Sequence, residues 1–143
     1  MVNALHTLNK SERGPSLPEF MDHMIQIIVE FGVADEITFE YIDREVLNRC
    51  LEAIEKEEVR VLDFLCIVRY YNLRGGKRLP LRFDYYIVRF VFEDREMQIL
   101  VYHERGTRRL AIEDLLEFVV QAVNVELERM EMKPLIQSYI RSA

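Results

Sequence analysis

Tryptophan is absent from the chain, and cysteine occurs only twice. Cys50 and Cys66 form no C-x-x-C and fall on apolar faces, so the expectation is two buried, reduced thiols in a cytoplasmic protein. Five glycines and four prolines are too few for a collagen-like or low-complexity chain. No stretch approaches the roughly 18–20 apolar residues of a membrane span, so no membrane partner is expected. The opening MVNALHTLNKSERGPS has no basic segment followed by an apolar run, which predicts no secretory signal. Its polar, aperiodic look predicts a flexible N-terminal arm over residues 1–15. No Ser/His/Asp, Cys/His or phosphate-loop pattern occurs, so no catalytic residue, metal or cofactor is assigned.

What is present suits a globule. Half of the 143 residues are apolar and 31% are charged, enough for one domain with a real core, expected over residues 16–143. Arginine outnumbers lysine, and the Glu/Arg-rich, amide-poor composition leans toward a thermophile. The formal net charge is -6, unevenly spread. Residues 1–59 hold 5 cations against 13 acids, residues 60–109 hold 11 against 6, and residues 110–143 hold 3 against 6. An acidic frame around a basic middle implies a partner-facing asymmetry or internal ion pairing.

Periodicity predicts an α+β fold, α-(β)-α-β-β-β-α, with an antiparallel sheet of three or four strands packed with helices. A first helix is expected over 17–31, from Ser16 as N-cap and Glu19 three residues on, through Met21, Met24, Ile25 and Ile28 to a stop at Gly32. EITFEYI reads as a short strand. Asp43 caps a second helix over about 44–57, with Val46, Leu47, Cys50, Leu51 and Ile54 on one stripe. Three strands follow. Their core rows are Leu62, Phe64, Cys66 and Val68; then Tyr86, Val88, Phe90 and Phe92; then Met97, Ile99, Val101 and His103. Phe92 opposite Met97 and Phe90 opposite Ile99 make the last hairpin self-consistent. For the preceding hairpin, an odd-length connection over Gly75-Gly76 puts Cys66 on the core side, and an even one does not. A last helix spans about 111–131, stopped by Pro134.

The opposite sheet face is the informative one. It carries Ile67, Tyr71, Phe83, Tyr85, Ile87, Leu100 and Tyr102, too apolar for a freely solvated face. The first helix or a second subunit is expected to cover it. The same ribbon is basic: Arg69, Arg74, Lys77, Arg78, Arg82 and Arg89 stand against one acid, Asp84, and are interleaved with tyrosines and phenylalanine. Arg108 and Arg109 follow the third strand. Arginines contact phosphates and aromatic rings stack on unpaired bases, whereas on any sheet tyrosines and edge cations are also common.

The αβββα order of residues 43–131 resembles the double-stranded RNA-binding domain. GTRRLA, Gly106 to Ala111, is similar to that family's basic motif, with Arg108 and Arg109 as the basic pair, and the resemblance implies RNA contact there. The chain departs from the pattern at Ile112, Glu113 and Asp114 and in its acidic second helix. The order also begins a restriction-endonuclease-like core. Asp84 and Glu104 stand where metal-binding acids are needed, but Gly106 takes the place of the lysine. Three readings result. The first is a non-enzymatic oligomeric interaction module, a homodimer or larger, presenting its basic aromatic hairpin to an acidic protein partner. The second is a protein that binds RNA or DNA. The third is a small-molecule enzyme whose site is not legible.

Overall fold

The computed structural model describes residues 1–11, 14–15, 25–34, 39–56, 60–74, 77–93 and 96–132. Helix α1 is Val2–Ser11, followed by strands β1, Ile25–Ala34, and β2, Phe39–Tyr41. Helix α2 is Arg44–Lys56. Strands β3, Val61–Arg74, β4, Lys77–Glu93, and β5, Glu96–Arg105, precede helix α3, Ile112–Arg129. The expected α+β class holds: helices pack on an antiparallel sheet ordered β2-β1-β3-β4-β5, four long strands and the three-residue β2.

Two expectations near the N-terminus are corrected. The loose arm is a helix. Val2 and Leu5, three apart, are buried in the core, and Leu8 packs against it. The apolar spacing was present in a stretch whose polar residues hid it. The helix expected over 17–31 is overturned from Ile25 onward, because Ile25–Ala34 is strand β1. Ile27, Val29 and Phe31 alternate toward the core, a period of two that coincides over a few residues with a helical stripe. Gly32 therefore lies inside a strand, not at a helix stop. The Ser16/Glu19 cap lies outside the described residues.

Buried Asn9 ties α1 to β1. Strand β2 pairs with β1 only from Gly32 to Ala34. At the next position, Phe31, the Asn9 side chain takes over: its Oδ1 accepts from Phe31 N–H at 2.8 Å and its Nδ2 donates to Phe31 C=O at 2.8 Å. The primary amide thus extends the ladder where the short strand has ended.

Helix α2 is capped as expected, Asp43 Oδ1 accepting from Val46 N–H at 2.9 Å. Helix α3 closes before Pro134. Glu131 adopts φ +55°, and the N–H groups of Glu131 and Met132 donate to Glu128 and Leu127 carbonyls, a left-handed helix end built without glycine.

The hairpin parity is settled by a bulge. Arg74 pairs with Lys77, so the turn is two residues long, which alone would put Cys66 on the outer face. Tyr71 pairs with Pro80 but Tyr70 with Arg82, leaving Leu81 unpaired. That one extra residue reverses the alternation. Cys66 therefore faces Tyr86 in the core, and β4 and β5 keep the expected pairs Phe92–Met97 and Phe90–Ile99.

Candidate functional site

All three described helices contribute to one core on one side of the sheet. Ile27, Val29, Phe31, Phe64, Val68 and Phe90 meet Leu5 of α1, Val46 and Leu47 of α2, and Leu115 and Val119 of α3 there. The other side is built by alternation alone. Register brings Ile67 beside Tyr85, Arg69 beside Phe83, Leu65 beside Ile87, and Ile87 beside Tyr102. Ile28 joins them from β1, so the strand that replaced the expected covering helix widens this face instead. Among the described residues no helix lies over it. Ile28 and Ile67 are nonetheless buried, while Phe83 is 54% and Val61 49% exposed. Phe83 and Tyr85 meet edge to face at 5.3 Å.

Two cations expected to face a partner are matched within the face. Arg89 makes a bidentate pair with Asp63 directly across the strands, 2.8 and 3.0 Å, and its guanidinium lies 5.6 Å from the centre of the Tyr102 ring. Arg69 lies 3.4 Å from Glu30. The open face is therefore apolar with Arg69 and Arg89 matched in place, and Arg105, beside Tyr85, stands at its edge.

The remaining cations gather elsewhere, at the corner where β5 ends against β4. Asp84 sits in the row of Tyr86, Val88 and Phe90 and is fully buried. Its Oδ1 accepts from Arg108 N–H at 2.9 Å, and its Oδ2 accepts from Arg109 N–H at 3.2 Å and Tyr70 O–H at 2.7 Å. Leu110 is held on both sides, its N–H donating to Tyr70 Oη at 2.9 Å and its C=O accepting from Tyr86 O–H at 2.8 Å. Gly106, at φ +113°, passes so close to Asp84 that a Cβ would strike the carboxylate. A buried carboxylate and two phenols thus bind the 106–110 turn to the sheet. Burial raises both tyrosine pKa values well above the ordinary phenol range, with the Asp84 charge adding to it.

His103 faces Tyr86, rings 5.2 Å apart, with Nε2 buried and 3.6 Å from Asp84 Oδ1, just beyond hydrogen-bond range. The side chains of Arg82, Arg108 and Arg109 are exposed around this turn, and so is Lys77 toward the hairpin tip. Arg74 and Arg78 are placed at the tip by the strand register. Asp84 and Glu104 form no metal pair: the Asp84 oxygens already hold three donors, and exposed Glu104 is the unpaired bulge residue between Arg105 and His103. Among the described residues no cluster of His, Cys, Asp and Glu could hold a metal ion.

Reading by residue type missed the role of Asp84 and Tyr70. The available signal was positional: Asp84 is the one acid in a core-facing alternation, and a buried carboxylate requires donors. No protein-family model, no curated protein and no solved structure matches the chain.

Proposed function

We propose that the chain is a non-enzymatic assembly module whose open sheet face docks on a second copy of itself. The observation that carries this reading is the placement of all three described helices on one side of the sheet while the other side presents Tyr71, Phe83, Tyr85, Ile87, Leu100 and Tyr102. Phe83 is exposed and the other five are half-buried, and a contiguous, partly exposed apolar surface of this kind marks an interaction site. Its charge pattern favours a copy over an oppositely charged partner. Arg69 and Arg89 are neutralised by Glu30 and Asp63, so a two-fold apposition brings these two cations together already paired, with Arg105 at the edge beside Tyr85. From Phe83 to Val91 the face is about 27 Å long, and four strands make it about 19 Å wide. That suits one side of a standard interface of roughly 800 Å² per partner. The cations of the basic corner remain outside this contact, and Phe83, 54% exposed, stands at the rim between the two.

Ile87→Glu tests the reading. It places a charge at the centre of the face, where nothing in the monomer core is disturbed. Sedimentation equilibrium at tens of micromolar is expected to show a dimer for the parent chain and a monomer of similar melting temperature for the variant. A parent chain that is monomeric at that concentration refutes self-association. Removing residues 133–143 then asks whether that segment covers the face: a truncated chain that dimerises identifies it as the occupant.

A further inference from the structure

The β3–β4 hairpin outruns β5. Strand β5 pairs with β4 no further than Tyr85. From Lys77 to Asp84, β4 has no strand on its second edge among the described residues, about 24 Å of open edge at ~3.4 Å per residue. A free edge invites an added strand. Here Pro80 removes a backbone donor and the bulge at Leu81 interrupts the ladder, so recognition falls to side chains.

Those side chains are cationic. Lys77, Arg82, Arg105, Arg108 and Arg109 are exposed, and none pairs with an acid among the described residues. Register adds Arg74 and Arg78 at the tip. The opposing acids are Glu104, which is exposed, Asp84, whose oxygens are spent on Tyr70 and two backbone amides, and Glu113 and Asp114 in the first turn of α3. The contrast with Arg69 and Arg89, both paired, is the point: the corner keeps its positive charge, and the face does not.

We propose that this corner binds the phosphodiester backbone of single-stranded nucleic acid, with Asp84 as the positioning residue that holds Arg108 and Arg109. Arginine's planar fork suits phosphate oxygens in pairs. Phe83 points to the outer face beside Tyr85, at the same end as Arg105 and across β4 from Arg82 and Asp84, so a strand that rounds the open β4 edge meets a ring on which an unpaired base can stack, which a duplex with its bases already stacked cannot use and an acidic peptide does not need.

The test is fluorescence anisotropy with a labelled 20-nucleotide oligothymidylate between 50 and 200 mM NaCl. The triple variant Arg82→Ser, Arg108→Ser, Arg109→Ser is expected to bind at least ~10-fold more weakly, with a salt slope shallower by about 2 from three lost phosphate contacts. Arg129→Ser, paired with Glu126 at the far end of α3, leaves binding unchanged. Asp84→Asn discriminates further. It raises the net charge by one, so a merely diffuse patch binds more tightly, whereas the nitrogen that replaces one oxygen cannot accept, so one of the two backbone amides loses its partner, the turn loosens and binding weakens. Tyr70→Phe, which changes no charge, weakens binding in the same direction and serves if Asp84→Asn fails to fold. The proposal is overturned if the parent chain does not bind oligothymidylate at 50 mM NaCl, or if the triple variant binds as the parent does. Tighter binding of a duplex, or equal competition by polyglutamate, also overturns it, the latter pointing to an acidic protein partner.

Discussion

Asn9→Ala removes the side chain that finishes the β1 ladder, and its cost can be worked from the contacts. In the parent chain Asn9 is 2% exposed and holds Phe31 N–H, Phe31 C=O and, at 3.2 Å, Ile42 C=O. After truncation the Phe31 carbonyl keeps the Ile42 N–H at 3.1 Å. The Phe31 amide has no such substitute in a strand position where β2 has already turned away. A buried donor left without a partner costs about 1–3 kcal/mol, and the lost bond to Ile42 adds up to ~1 kcal/mol. The expected loss is about 2–3 kcal/mol. Unfolding entropy near 2.1 cal/mol/K per residue gives roughly 0.3 kcal/mol/K for a chain of this size, so the melting temperature should fall by about 7–10 °C. Urea unfolding followed by far-UV circular dichroism supplies the free energy directly. Asn9→Asp is the companion variant. It keeps the acceptor for Phe31 N–H but turns a second oxygen toward two carbonyls, so at pH 7 it should be worse than alanine. Burial among acceptors raises that carboxyl's pKa above its unfolded value near 4, so its deficit should shrink as pH falls from 7 through the raised value and be lifted by about pH 4, where a proton restores the donor. A loss below ~0.5 kcal/mol for Asn9→Ala, with the fold intact, refutes the ladder role.

Gly106→Ala should destabilise the chain by about 2 kcal/mol or more, because it combines a positive φ with a Cβ directed at Asp84 Oδ1; thermal melts beside the parent chain check it. The buried phenols set an alkaline limit. Tyr70 and Tyr86 have folded pKa values raised above the unfolded value near 10, so the stability they contribute is complete below pH ~10 and is lost as pH rises beyond it. A phenolate absorbance titration should leave Tyr70 and Tyr86 un-ionised until the protein unfolds, and Tyr70→Phe should remove one of these late phenols; ionisation of both near pH 10 in the folded chain refutes the burial argument.

Alternation and capping chemistry carried much of the fold into the sequence. The α2 cap at Asp43, the stripe from Val46 to Ile54, the β4–β5 register and the apolar outer row are local patterns, readable because side-chain period and turn length leave few other solutions. The basic ribbon was equally legible as composition. Its meaning was not. Whether Arg89 faces a ligand or Asp63, and Arg69 a ligand or Glu30, depends on which residues the register sets beside them, over separations of 26 and 39 positions. Ile25–Ala34 fits a helix or a strand by pattern, and its pairing with β3 decided for the strand. The parity of the β3–β4 hairpin turned on one unpaired residue, Leu81, that a continuous apolar and basic run does not announce. The same holds for Asn9 and Asp84: each is an ordinary polar residue in sequence, and each became structural only where folding left backbone donors that its oxygens alone could reach.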